Sequence, residues 1–182
     1  MAIEIPERLK GGVKEVQERL RGILPGVRWV APEGVHLTLK FLGEIEAGQV
    51  EEVSQAISPV VKGVQSFSIV IKGVGTFPDI RRPRVIYLGM AKGGDGVRSL
   101  YEGIESALQG LGFEREGRAF HPHFTLGRFK GAGHLRDLPK ILSPFSNLQL
   151  DPFTAHEVTF FKSELRPEGA RYTRIAQFPL GG

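Results

Sequence analysis

The amino-acid sequence predicts an α+β fold of two similar lobes, a bilobal, pseudo-symmetric duplication. Two short segments carry most of that reading: His36-Leu37-Thr38-Leu39 and His123-Phe124-Thr125-Leu126, whose histidines lie 87 residues apart. The order of elements around them is the second observation. Each half reads strand, helix, H-x-T strand, helix, and the first strands begin at Ala2 and Val85, 83 residues apart. A near-constant offset is what an internal duplication leaves behind. Identity between the halves is low outside the motif, so the duplication is inferred from element order and one short signature. The third observation is the pattern of apolar residues, which changes between a two-residue and a 3.6-residue period.

Each element follows from those periods. Ala2 to Ile5 alternates as a short strand. Pro6 suits a first helical turn, and Val13, Val16, Leu20 and Leu24 keep helical spacing until Pro25-Gly26 stops it. Arg28 to Val30 is a short strand, and Pro32-Glu33-Gly34 turns the chain into Val35 to Leu42. In that segment Val35, Leu37, Leu39 and Phe41 share one face, and His36, Thr38 and Lys40 the other, the mark of a half-buried antiparallel strand. Val50, Val53, Ile57, Val60 and Val61 then form an amphipathic helix that Pro59 is expected to shorten. Phe67 to Lys72 is a strand, and Gly73 to Pro83, rich in Gly, Pro and Arg, reads as the connector between lobes.

In the second half, Val85 to Met90 is a strand and Asp95 a candidate cap for a helix carrying Val97, Leu100, Ile104, Leu108 and Leu111. Phe120 to Phe129 holds the second motif, and Leu135 to Leu142 is a short helix. Phe153 to Leu165 and Tyr172 to Leu180 read as a closing pair of strands with a turn at Pro167-Glu168-Gly169.

Composition narrows the function classes. The 182 residues suit one domain and carry no cysteine, which removes disulfides, thiolate nucleophiles and cysteine-ligated metals. No apolar run approaches the roughly 18 residues of a membrane span, and the start lacks the features of a signal peptide, so a cytoplasmic protein is expected. The formal net charge of +4 leans mildly toward polyanions such as RNA.

Within an H-x-T strand the His and Thr point the same way, about 6 to 7 Å apart. Two copies can set two imidazoles and two hydroxyls around one small anion. An imidazole titrates near 6.5, so close to neutrality one can take a proton while its partner gives one. In-line displacement at phosphorus needs that pair, and threonine hydroxyls can donate to the non-bridging oxygens. His36 and His123 are therefore the candidate catalytic residues, with Thr38 and Thr125 binding the phosphate.

Strand parity turns Arg128 away from His123, but Gly127 before it can mark a bulge that re-aims it. Arg128 is on that ground a candidate phosphate or base ligand. Arg81, Arg82 and Arg84 in the connector read either as a cluster that steers a polynucleotide phosphate chain or as a solvated charge run. Parity assigns Phe41 and Phe124 to core packing. His121-Pro122-His123 has no carboxylate nearby in sequence, so His121 either flanks the site or is solvated, and no metal is expected. His134 and His156 are read as structural. Gly93-Gly94-Asp95-Gly96 lacks a nucleotide-binding glycine pattern and reads as a turn before a helix.

The paired motifs in a chain of this size resemble the two-histidine (2H) phosphoesterase superfamily. Trp29 to Gly43, around H-L-T-L, and Phe120 to Arg128, around H-F-T-L, are similar to the two motifs of the RNA 2′,3′-cyclic phosphodiesterases, also called 2′-5′ RNA ligases. Pro83-Arg84-Val85 and Phe161 to Tyr172 fit as well. The first strand departs from the family, whose members often carry a longer one with a Phe.

The resemblance implies two lobes, each an antiparallel sheet with flanking helices, and an active-site cleft between them. It implies one domain over 1–182, with lobes at about 1–75 and 84–165 and the strand 172–180 closing the sheet. It implies opening of an RNA 2′,3′-cyclic phosphate, tRNA fragments being one such substrate, to a 2′-phosphate. No cofactor or membrane would be needed, and a monomer suffices. His36 would be the proton donor and His123 the acceptor, with Thr38, Thr125 and Arg128 on the phosphate; the residues alone leave open which histidine does which. The alternatives are ATP-independent 2′-5′ RNA ligation by the reverse reaction and a non-catalytic RNA-binding module.

Overall fold

A computed structural model describes residues 1–131, 137–166 and 169–182. His134, Leu135 and the Pro167-Glu168 part of the expected turn lie outside the described residues. In chain order the elements are β1 (Ala2–Glu4), α1 (Glu7–Arg21), β2 (Val27–Trp29), β3 (His36–Thr38), α2 (Gln49–Lys62), β4 (Phe67–Phe77), β5 (Val85–Lys92), α3 (Gly94–Gln109), β6 (Phe124–Phe129), α4 (Leu138–Leu142), β7 (Phe153–Ala155), β8 (Glu157–Arg166) and β9 (Gly169–Pro179). A 3₁₀ turn at Pro32–Gly34 leads into β3.

The strands form one sheet in the order β7-β4-β5-β6-β3-β1-β8-β9, with β2 also paired to β6. Each pairing between these strands is antiparallel. Each half of the sequence lends a strand to the other. β4 from the first half sits beside β5, and β8 from the second sits beside β1. A lobe of the sheet thus takes strands from both halves. The sheet curls until the entry to β4 meets the chain beyond β9: Ser66 N donates to Gly181 O at 3.0 Å and Gly181 N to Val64 O at 2.8 Å.

One face of the sheet packs on helices. Leu37, Ile86, Leu88, Phe124 and Leu126 are buried there. Val13, Val16 and Leu20 of α1, Val53 and Ile57 of α2, and Leu100 and Ile104 of α3 join the same apolar cluster. Each such side chain contributes about 1.5 to 3 kcal/mol. With that face filled, the alternate residues of β3 and β6 have only the opposite face.

The structure differs from the sequence reading at several ends. The strand expected over Val35 to Leu42 ladders only from His36 to Thr38, because the N–H groups of Leu39 and Lys40 both converge on Met1 O, where β1 begins. Parity fails from there on: Phe41 is 70% exposed and Lys40 is buried. The connector loses its first five residues to β4, and the strand expected from Phe120 begins at Phe124. The strand from Phe153 splits at His156 because its two parts pair different neighbours, β4 and β1. Pro59 sits in the last turn of α2 without ending it, since one helical hydrogen bond is all it removes there. Gly93, at φ 96°, precedes α3 in place of the Asp95 cap. Asp95 lies in the first turn, where its charge meets the positive helix end.

The buried Lys40 reaches Glu105 Oε1 of α3 at 2.8 Å, an ion pair with poor hydrogen-bond alignment, and donates to Glu114 O at 2.6 Å. Glu105 Oε2 accepts from Glu116 N at 3.1 Å. This knot ties the end of the first motif to the loop before the second. Glu105→Ala leaves an ammonium buried without its counter-charge, and we expect a loss of about 3 to 5 kcal/mol in the free energy of denaturant unfolding.

Candidate active site

The two motif strands are neighbours at the middle of the sheet. Leu37 of β3 pairs with Phe124 of β6, and both side chains point into the helices. One step along the antiparallel register in each direction sets His36 across from Thr125 and Thr38 across from His123. Such opposed residues are about 4.5 to 5.5 Å apart and diagonal ones about 7 to 8 Å. The imidazoles occupy one diagonal of a small quadrilateral and the hydroxyls the other.

Each ring is held by neighbours. His123 Nδ1 lies 2.7 Å from His121 O, a donation that leaves the Nε2 lone pair free. Its ring stands edge-on to Phe77 of β4 at 4.9 Å and Tyr87 of β5 at 5.3 Å. His36 stacks on Phe161 of β8 at 5.5 Å and meets the edge of Tyr172 of β9 at 4.8 Å. Both exchanged strands therefore bring a Phe to the histidine of the other half. Tyr87 fits because Gly75 lies opposite it in β4: a Cβ there would come within 2.6 Å of the Tyr87 ring. The sequence reading missed all four aromatics. Tyr87 was within reach, since it alternates with the inward-facing Ile86 and Leu88.

Burial sets the electrostatics. It pushes the His36 pKa down to about 4 and the charge of the Met1 amino terminus adds to that, while the Glu4 carboxylate and the Gly34 carbonyl push the other way. Burial also lowers His123; the bond to His121 O opposes that and the charge of Arg128 adds to it. Glu4 lies opposite His36 in the β1–β3 ladder. Although burial pushes the Glu4 carboxyl up, its bonds to Arg174, at 2.8 and 2.7 Å, and to Thr159 Oγ1, at 2.8 Å, hold it below its ordinary range.

Arg128 reaches the same face by a bulge. Tyr87 pairs with Thr125 but Ile86 with Gly127, which leaves Leu126 as the extra residue of β6. Leu126 and Gly127 are both buried, and Arg128 emerges exposed on the groove side. Gly127 also allows β2 to come close, since a Cβ would lie 2.6 Å from Val27 Cγ1.

A groove of about 1370 Å³ is lined by Thr38, His123, Thr125 and Arg128 together with Arg82 and Arg84; His36, packed against Phe161 and Tyr172, is not in its lining. Arg81 is absent from the lining, so the connector cluster divides. Phe41, expected in the core, stands in the groove wall instead. His121 is an exposed part of the lining. His156 lies exposed at the break between β7 and β8. No helix among the described residues is long and apolar enough to cross a membrane.

Comparison with known proteins gives the same two-part division. A family model described as LigT like Phosphoesterase matches twice, at residues 3–87 and 88–172. The chain is 31% identical over 180 residues to the RNA 2′,3′-cyclic phosphodiesterase of Methanothermobacter thermautotrophicus, covering 99% of this chain and 97% of the relative. It is 32% identical over 181 residues to the protein of the same name from Aquifex aeolicus, covering 98% and 91%. Among solved structures, TT0787 of Thermus thermophilus superposes with a TM-score of 0.81 at 25% identity, covering 100% of this chain and 96% of that one. E. coli LigT complexed with 3′-AMP gives 0.77 at 24% identity, covering 98% and 95%, and shares the fold.

The partly buried His36 imidazole makes stability depend on pH. Unfolded, it binds its proton near pH 6.5; folded, near about 4. Between those values the unfolded chain holds more protons, so stability is full above pH 6.5 and falls as the pH drops toward 4. We expect this group alone to cost roughly 3 kcal/mol across that window. Urea unfolding of the wild type and His36→Phe at pH 7 and pH 4 measures it, with the variant losing less.

Proposed function

Since this chain belongs to the LigT-like phosphoesterase family, we propose that it hydrolyses RNA 2′,3′-cyclic phosphodiester ends to 2′-phosphomonoesters, using His36 and His123 as a metal-independent acid–base pair. The single observation that carries the reading is the Leu37–Phe124 pairing, which sets the two H-x-T segments side by side and so supports two imidazoles acting on one phosphorus. Relatives named RNA 2′,3′-cyclic phosphodiesterase support the substrate.

The chemistry runs as an in-line displacement. Water lies on the His123 side, and Nε2 takes its proton as the oxygen bonds to phosphorus. The bond from phosphorus to O3′ breaks on the far side, and His36 gives that oxygen its proton. The 2′ ester bond stays, so a 2′-phosphate remains. His36 ends neutral and His123 charged; exchange with solvent resets both. The diagonal placement supports this division, because attacking and leaving oxygens are on opposite sides of the phosphorus. The His121 carbonyl supports His123 as base by holding Nδ1–H and leaving Nε2 free.

His36 must be charged to act as acid, yet burial keeps it neutral in the free protein. The negative charge of the cyclic phosphate, set against the ring, raises its proton affinity on binding. Thr38 and Thr125 donate to the non-bridging oxygens, and Arg128 offsets the charge that builds on them. A groove open to water favours hydrolysis over end joining.

The test uses RNA ending in a 2′,3′-cyclic phosphate, with EDTA present. Turnover should persist with chelator, and its loss would reject the metal-free route. His36→Ala and His123→Ala should each lower kcat by about 10²- to 10⁴-fold, and near wild-type rates in either would reject the pairing.

A further inference from the structure

Gln17 is a polar side chain in the core that the acid–base chemistry does not use. It sits on the inner face of α1, only 1% exposed, among Val13, Val16 and Leu20. Its amide nitrogen donates to Val30 O at 2.7 Å and to Leu126 O at 3.0 Å. An apolar residue would suit the helix spacing there. A buried amide that spends both hydrogens on two backbone carbonyls is holding those carbonyls in place.

Both carbonyls belong to segments that carry the site. Leu126 is the extra residue of the β6 bulge, and its carbonyl also accepts Val30 N at 2.9 Å. The carbonyl at the bulge thus takes one bond from the chain leaving β2 and a second from α1 on the helix side. Val30 directly follows β2 on the approach to the 3₁₀ turn that delivers His36. The clamp therefore joins the approach to the first histidine to the kink in the second motif strand.

The bulge decides where Arg128 points. In an unbroken strand Phe124, Leu126 and Arg128 would share the helix-facing side. With the extra residue, Leu126 stays buried and Arg128 turns to the groove. We propose that Gln17 is a positioning residue that fixes the β6 bulge from inside the core and so aims Arg128 at the phosphate. The inference rests on the phosphodiesterase reading of the groove, and it gives α1, a helix remote from the groove, a part in phosphate affinity.

A double-mutant cycle with Gln17→Met and Arg128→Ala tests it. Both are assayed on cyclic-phosphate RNA below the melting temperature of each variant, and inorganic phosphate affinity is measured by NMR titration. Arg128→Ala should raise KM and weaken phosphate binding by about tenfold or more. Gln17→Met should raise KM and weaken phosphate binding by about fivefold, with kcat little changed. In the Arg128→Ala background Gln17→Met should add almost nothing, because its route to the phosphate is already gone. Multiplying effects, or an unchanged KM and phosphate affinity in Gln17→Met, would overturn the proposal. A merely structural glutamine would lower the melting temperature equally in both backgrounds and leave KM alone. If Gln17→Met does not fold, Gln17→Leu, which also removes the donors without adding a buried charge, replaces it in the same cycle. A wild type that binds phosphate but leaves RNA intact would reject the phosphodiesterase reading and leave this cycle readable through phosphate affinity.

Discussion

The site depends on one antiparallel contact, Leu37 against Phe124. Side chains alternate along a strand, so whichever residue is buried fixes the side of its neighbours. Both members of this contact are fully buried beneath helices. Their anchoring forces His36, Thr38, His123 and Thr125 onto the open face, in a register that opposes each imidazole to a hydroxyl. A slip of one residue would bury the histidines and expose the apolar pair, at a cost of about 1.5 to 3 kcal/mol for each large side chain withdrawn from the core. Hydrophobic burial thus enforces the geometry of the polar groups, which make few bonds to one another.

Around that contact the two halves are interleaved rather than set side by side. β4 leaves the first half to pair with β5, and β8 leaves the second to pair with β1. The exchange accounts for the shells of the two rings: Phe77 of β4 reaches His123, and Phe161 of β8 reaches His36. Neither half can build its own ring environment. The curl that joins Gly181 to the entry of β4 adds a further tie between the ends of the chain.

Much of the fold was legible because it rests on local periodicity. The α1, α2 and α3 spacings, the Val85 strand and the paired motifs all read directly from apolar positions. Arg128 was legible through Gly127, whose lack of a side chain marked the bulge. The failures share one cause, that strand ends are set by partners distant in sequence. Lys40 and Phe41 were assigned by alternation, but β1 offers the first motif strand no ladder past Thr38, so Lys40 turned inward to Glu105 and Phe41 outward. The strand exchange was invisible for the same reason: nothing within β4 or β8 says which neighbour it will choose. Phe77, Phe161 and Tyr172 owe their places to that choice.

The duplicated motif has not yielded a symmetric site. β6 carries a bulge, a glycine and an arginine after its H-x-T, whereas β3 simply ends and releases Phe41. His123 stands beside a cation, Arg128, and His36 across from a carboxylate, Glu4. A neighbouring positive charge favours the neutral ring, which accepts a proton, and a neighbouring negative charge favours the protonated one, which donates. The Arg174 fork on Glu4 tempers that carboxylate but keeps it charged and fixed beside the ring. Two imidazoles alike in sequence thus have different charged neighbours, one the arginine downstream of its motif and the other the strand that pairs with its motif, while burial lowers the proton affinity of both. Under the proposed mechanism the difference matters most at His36, where burial outweighs Glu4 and the proton is held only once the anionic phosphate lies beside the ring.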